Sequence, residues 1–289
     1  MEKISFIKMS GAGNDFIVLN KDLFPDLILD SSSIKKLCDR RNGIGADGLI
    51  TIGGSGAPYD FLMNYYNSDG STGSLCGNGA RCAVKFAEFS KITGNKSVRF
   101  LSNGTEYSGE IIDNNKTKVN FNPPAKINLN FIIKAAGQSI KSSFIDTGSP
   151  HVIINIEDVL KDPSVNSSYY SDLDSFPVFN LGKEIRYKKD LFPNGTNVNF
   201  IKIVGDKVYI RTYERGVEDE TLSCGTGSTA SALMAYFLYN INPPISLVTK
   251  GRDILTVDFL AKGQDITCLS LTGPVKIVYT GDFLYSTFF

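Results

Sequence analysis

The sequence is short of several things, and each shortage excludes a class of function. There is no surplus of charge: thirty Lys and Arg balance thirty Asp and Glu, for a net charge of zero near pH 7. Without a basic field nothing draws in nucleic acid or an anionic lipid surface, so no nucleic-acid and no membrane partner is expected. There is one histidine, His151. A lone imidazole cannot build a His-rich metal site, and with no Cys-x-x-Cys pair to help, no metal is expected. Nor can two histidines share acid–base work, so proton chemistry falls to other side chains. No apolar run reaches the roughly 17–25 residues of a bilayer span. The longest uncharged stretch of interest, Gly225 to Pro243, is broken by Gly, Ser, Thr and Asn. The first nine residues, MEKISFIKM, mix charge with apolar side chains instead of forming a secretory hydrophobic segment. The five cysteines are odd in number and widely scattered, which fits reduced thiols in a cytoplasm better than a disulfide framework.

What is present reads as a globular chain. A composition of 42% hydrophobic and 21% charged residues is ordinary, and 289 residues can build one large core or two modest ones. Short β-branched or alternating runs dominate: Ile4–Lys8, Phe16–Leu19, Gly48–Ile52, Asp60–Tyr65, Ser97–Leu101 and Lys118–Phe121. The second half repeats the habit at Val152–Ile156, Asn197–Val204, Lys207–Tyr213, Ile245–Thr249, Ile254–Phe259 and Val275–Tyr279. Ser31–Arg41 reads as a helix opened by serine caps. The fold class is therefore α+β with mostly antiparallel strands.

Two further helices stand out. Ala80–Phe89 follows Cys76-Gly77-Asn78-Gly79 and is apolar except at Arg81, Lys85 and Glu88. Ser228–Tyr239 follows Cys224-Gly225-Thr226-Gly227 and carries no charge at all. A helix that is apolar all round is enclosed by protein, and in a strand-rich chain the enclosure is a curled sheet. The two segments form an internal repeat spaced by about half the chain, with a polar residue, Asn67 or Arg215, nine positions before each cysteine. Two domains of one plan with a cleft between them are expected, the best boundary being Pro123-Pro124.

A glycine-rich turn that feeds a helix presents free backbone amides and the positive end of the helix dipole. A cysteine placed there has its thiolate stabilised and becomes a usable base, while the amides of Gly77, Asn78, Gly225 and Thr226 can hold a carboxylate. If both turns face one cleft, a carboxylate held there has a sulfur on each side of its α-carbon. One thiolate removes a proton while the opposite thiol delivers another, which inverts the centre without pyridoxal phosphate.

These residues resemble a known family. Asn67-Ser68-Asp69-Gly70-Ser71, four residues, then Cys76-Gly77-Asn78-Gly79-Ala80-Arg81 is similar to the diaminopimelate epimerase signature at every position. Gly11-Ala12-Gly13-Asn14-Asp15-Phe16, Arg41 to Gly48, Gly148-Ser149-Pro150-His151, Asn197 to Phe200, Tyr213 to Gly216 and the Cys224 block match in order, so the resemblance spans the chain. It implies a cofactor-independent epimerase interconverting LL- and meso-2,6-diaminoheptanedioate, with Cys76 and Cys224 as the acid/base pair and His151 and Glu214 assisting. Substrate contacts would fall on Asn14, Asn67, Gly77, Asn78, Asn197, Glu214, Arg215, Gly225 and Thr226. Glu214 with Asn67 would hold the α-ammonium, and Arg215 with Asn14 and Asn197 the far carboxylate. The family fold implies a barrel-like sheet around one helix in each domain, with boundaries at 1–121 plus 273–289 and 122–272, and a homodimer.

Two positions depart from the family pattern. Ser149 stands where many members carry Asn, and Gly48 where some carry Gln. Racemases of proline or hydroxyproline share the fold and chemistry and form the nearest alternative; a non-catalytic carboxylate-binding protein is another. Read by themselves, Cys38, Cys82 and Cys268 are small buried hydrophobes, and Asp15, Asp47 and Asp69 are turn and cap residues.

Overall fold

The structure, a computed structural model, describes residues 3–54, 56–73, 75–165 and 168–288. The chain folds as two compact units, Met1–Asn120 with Thr272–Phe289, and Phe121–Leu271. In chain order the elements up to residue 120 are β1 (Lys3–Gly11), β2 (Asn14–Asn20), α1 (Ser31–Cys38), β3 (Gly48–Gly53), β4 (Phe61–Asn67), α2 (Gly77–Phe89), β5 (Ser97–Ser102), β6 (Thr105–Asp113) and β7 (Lys116–Asn120). There follow β8 (Lys126–Ala135), β9 (Gln138–Asp146), β10 (Pro150–Asn155), α3 (Val178–Arg186), β11 (Asn197–Val204), β12 (Lys207–Glu214), β13 (Asp219–Thr221), α4 (Gly225–Tyr239), β14 (Ile245–Val248) and β15 (Ile254–Lys262). Strand β16 (Asp265–Pro274) contains the second boundary between the units, and β17 (Lys276–Leu284) and α5 (Tyr285–Phe288) complete the first.

In the first unit β17, β1 and β2 run antiparallel, β2 pairs in parallel with β3, β3–β4 is antiparallel, β4 pairs in parallel with β5, and β5, β6 and β7 close the run antiparallel. In the second unit the plan recurs: β8, β9 and β10 antiparallel, β10 parallel to β11, β11–β12 antiparallel, β12 parallel to β14, and β14–β15 antiparallel. Parallel neighbours need a crossover, and a helix fills each one. α1 and α3 serve the first crossover of each unit, α2 and α4 the second.

Helix α2 packs on β1, β2, β3, β4, β6 and β7, and α4 on β9, β10, β11, β12, β14 and β15. Each sheet therefore curls round one helix. The sequence explains why: α4 is buried at every position from Gly225 to Ala235, and α2 buries Ala80, Cys82, Ala83, Val84 and Ala87 completely. Arg81 is also fully buried, its guanidinium folded back onto Gly77 O (3.4 Å) and Asn78 Oδ1 (2.9 Å). Among the described residues no helix is long and apolar enough to cross a membrane.

Local chemistry sets the boundaries. The β1–β2 hairpin turns at Ala12-Gly13, both at positive φ (55° and 85°), the geometry of a type I′ turn between paired Gly11 and Asn14. Helix α1 is capped by Asp30, whose carboxylate accepts from Ser33 N at 2.7 Å, and not by a serine as expected. It ends at Cys38, three residues early, because Asp39 accepts from the Arg41 and Asn42 amides and turns the chain. Helices α2 and α4 begin at Gly77 and Gly225, three residues earlier than their apolar runs, so that each cysteine is the N-cap residue.

Strands β6, β8, β9, β13 and β16 and helix α3 have no counterpart in the sequence-based expectations. In β8 most side chains are half or fully exposed, which erases the apolar run. Helix α3 hides behind Gly182, against which the Tyr213 side chain packs: a Cβ there would lie 2.5 Å from Tyr213 Cβ.

Candidate active site

Each unit builds one half-site at the N-terminus of its enclosed helix. In the first unit Cys76 caps α2, its Sγ accepting from Gly79 N at 3.4 Å. The β1–β2 hairpin presses onto this turn so closely that a Cβ on Gly11 would lie 2.8 Å from Asn78 O. That approach brings Asn14 to the helix mouth. Its Nδ2 donates to Asp47 Oδ2 (2.6 Å), which turns Oδ1 toward Cys76 Sγ (3.6 Å) and Asn78 Nδ2 (3.5 Å).

Asp47 is held in turn. Arg40 bridges Asp15 and Asp47, each at 2.7 Å, and buried Lys8 pairs with Asp15 at 2.7 Å and donates to Gly45 O. Burial pushes the Asp15 carboxyl up, but the bonds from Arg40 and Lys8 outweigh it and hold the group near 2. Burial and the Asp15 charge push Asp47 the other way. Asp15 and Asp47 thus do more than shape turns: they orient Asn14, a role visible only once β2 and the 39–48 loop meet.

Asn67, at the end of β4, donates to Ser71 Oγ (3.0 Å) within its own turn and pairs across the sheet with Gly48. Gly48 has no room for a larger residue: a Cβ would meet Tyr66 O at 2.6 Å and the Tyr65 ring at 2.7 Å. The Tyr65 ring takes the space that a longer side chain would need.

In the second unit Cys224 precedes α4, its Sγ 3.6 Å from Thr226 Oγ1. Behind Thr226 lies a line of buried polar groups. Thr226 Oγ1 is 2.9 Å from His151 Nε2, His151 Nδ1 is 3.1 Å from Asn199 Nδ2, and Thr212 Oγ1 donates to Asn199 Oδ1 at 3.0 Å. His151 is wholly enclosed. Burial, aided by the positive charge of Arg215, lowers its pKa to about 3, so the ring is neutral at physiological pH. Its bonds run to Thr226 and Asn199, and it reaches Cys224 through a hydroxyl. Asn199 and Thr212 escaped the sequence reading although Asn199 lies inside a matched block; a strand residue facing inward leaves no signal of its polar partner.

Glu214 ends β12 and accepts from Thr221 Oγ1 at 2.9 Å. Arg215 is half-buried and bonds Asn194 O at 3.3 Å. Asn197 is 3% exposed and its carboxamide is engaged throughout: Nδ2 donates to Ser149 Oγ (3.0 Å) and Pro150 O (2.9 Å), and Oδ1 accepts from Arg215 N (2.9 Å). It ties Ser149, Pro150 and Arg215 together.

The two half-sites share geometry but not polarity. In register, Phe16 faces Gly48 in the first unit where His151 faces Asn197 in the second. Ile50 pairs with Tyr65 where Asn199 pairs with Thr212. The glycine three places after each cysteine confirms the match, since a Cβ on Gly79 would meet Ile50 Cδ1 and one on Gly227 would meet Asn199 Oδ1. At the places of His151 and Asn199 the first unit is thus apolar, holding Phe16 and Ile50. The other thiols are peripheral. Cys38 and Cys82 are buried, burial raising both to about 12. Cys268 is exposed on a left-handed residue (φ 54°), not buried as expected.

The chain is similar to known proteins along its length. The family model for diaminopimelate epimerase matches residues 6–127 and 143–278. A diaminopimelate epimerase of Aquifex aeolicus is 39% identical over 96% of this chain and 97% of its own, and one of Chlorobaculum tepidum 41% over 94% and 98%. Among solved structures, a probable proline racemase from Agrobacterium radiobacter superposes with a TM-score of 0.71 at 13% identity, covering 98% of this chain and 93% of that one, a likeness of fold alone. A cysteine at the mouth of an enclosed helix in each of two like-built units, together with these matches along the whole chain, places the protein in the diaminopimelate epimerase family.

Proposed function

We propose that the protein interconverts LL- and meso-2,6-diaminoheptanedioate by moving protons at one α-carbon with two cysteines. The observation that carries this reading is the repetition of one device: in both units a cysteine caps a buried helix behind a glycine-rich first turn. In the reaction the thiolate takes the α-proton and becomes a thiol, while the opposite thiol gives its proton to the other face and becomes a thiolate. The pair ends with the proton count it began with and the roles exchanged. The helix N-terminal amides of Gly77, Asn78, Gly225 and Thr226 hold the carboxylate and take up the charge that develops on it. Glu214 and Asn67 bind the α-ammonium.

Arg215 meets the far carboxylate, and Asn14 completes the grip. Asn197 contributes by fixing the Arg215 backbone, since its own amide hydrogens are already donated within the unit. His151 acts behind Cys224, by orientation. The reading includes a cytoplasmic homodimer with no nucleic-acid or membrane partner and no cofactor. Proton NMR of the reduced protein with LL-diaminopimelate in D₂O tests it. Loss of the α-proton signal together with appearance of the meso isomer is the expected result. Reactive thiols without exchange would move the substrate to a related racemase's, and turnover of proline alone would overturn the assignment.

A further inference from the structure

The buried polar line behind Cys224 has a direction, and Asn199 sets it. The carbonyl of Val152 can only accept a hydrogen bond, and it lies 3.0 Å from the side-chain amide of Asn199. The atom facing it is therefore the NH₂ nitrogen, and Thr212 fixes the other end by donating to Oδ1. One N–H of Asn199 goes to Val152 O; the second points at His151 Nδ1, 3.1 Å away. A ring nitrogen that receives an N–H carries no hydrogen of its own. The imidazole proton thus sits on Nε2 and points at Thr226 Oγ1. With its oxygen accepting from the ring, the Thr226 hydroxyl hydrogen is left for Cys224 Sγ.

The geometry points to Asn199, clamped by Thr212 and the Val152 carbonyl, as a positioning residue that holds His151 in its Nε2–H tautomer so that Thr226 donates a hydrogen bond to the Cys224 sulfur and favours its thiolate. The first unit lacks this device, having Phe16 and Ile50 at the matching places. Cys76 there meets the Asn14 carbonyl oxygen, turned toward it by Asp47, and its sulfur accepts from Gly79 N. The half-sites are thus made unequal in what stands behind each sulfur: a hydroxyl held by His151 at Cys224, a backbone amide and the Asn14 carbonyl at Cys76. The groups facing the ring, Asn199 from β11 and Thr226 from α4, are neutral, and Arg215 is the charge that bears on it.

The kinetic part of the test rests on the epimerase reading; the spectroscopic and labelling parts do not. Because the chain has one histidine, a ¹⁵N-histidine-labelled sample gives a single, self-assigning imidazole pattern. A pyridine-type Nδ1 and a pyrrole-type Nε2, unchanged from pH 5 to 9, are expected. A pyrrole-type Nδ1 in the unaltered protein overturns the proposal. Asn199→Asp puts an acceptor against Nδ1 and should move the proton there. At pH 7 the same variant should cut the alkylation rate of Cys224, read by peptide mass spectrometry, about tenfold and leave Cys76 unchanged.

Thr226→Val should slow Cys224 equally, whereas Thr226→Ser should keep the native rate. These two serve if Asn199→Asp does not fold. An unaltered Cys224 rate in Thr226→Val overturns the relay. In turnover, Asn199→Asp should lower kcat about tenfold at constant KM. Failure to turn over diaminopimelate with the tautomer and labelling results intact would sink the substrate reading and leave the positioning role standing.

Discussion

Cys76→Ser or Cys224→Ser should remove epimerisation to background while leaving the far-ultraviolet circular dichroism spectrum unaltered, because a serine hydroxyl fills the thiol's space but does not ionise near pH 7. Near-normal turnover of either variant would defeat the two-base mechanism. His151 gives a second test. Its folded pKa, about 3, lies below the ordinary 6.5, so the unfolded chain binds a proton that the folded chain refuses. The associated stability is complete above pH 6.5 and is lost on acidification, at about 1.4 kcal/mol per pH unit below that point. Urea unfolding at pH 7, 6 and 5 should show this decline, and His151→Gln should flatten it. At this scale the two helix-capping cysteines were legible because the repeat names them twice. The hydrogen-bond partners of His151 were not, since Thr226, Asn199 and Thr212 lie 75, 48 and 61 positions along the chain from it and only strand register brings them together.

Elements translate that register into tolerance. Gly79 and Gly227 hold equivalent places in α2 and α4, yet a Cβ on Gly79 meets the end of the Ile50 side chain at 3.1 Å, which can shift, and one on Gly227 lies 2.3 Å from Asn199 Oδ1 and 3.3 Å from Cys224 Cβ. Gly227→Ala should therefore cost about 2 kcal/mol or more and most of the activity, whereas Gly79→Ala should change stability by under about 1 kcal/mol. Chemical denaturation of both variants decides it; equal losses would count against the match between half-sites. The enclosed helices were readable because nothing charged breaks α4 over its buried length. Helix α3 and strands such as β8 were not, because Gly182 is dictated by the Tyr213 side chain packed over it and β8 is half solvated.

For the whole molecule, place at a helix mouth and accessibility together sort the five thiols, since Cys224 is buried like Cys38 and Cys82 while Cys76 is half-buried and Cys268 exposed. Native protein treated with a neutral alkylating reagent should label Cys268 and the helix-mouth cysteines and spare Cys38 and Cys82, which burial raises to about 12. Substrate should protect Cys76 and Cys224 and leave Cys268 reactive; labelling of Cys82 in folded protein would contradict the enclosure of α2. Two cysteine–glycine turns half a chain apart, each ahead of an apolar helix, were enough, from sequence, to indicate sheets wrapped round helices and to single out the cysteines that cap them. Those features are local or compositional, and they need no knowledge of which strand lies beside which. The tertiary structure alone decided that Asp47 aims Asn14 at one thiol and that Asn199 aims His151 toward the other. Hydrogen-bond direction in a buried network depends on which acceptor faces which donor, and only the pairing of distant strands fixes that.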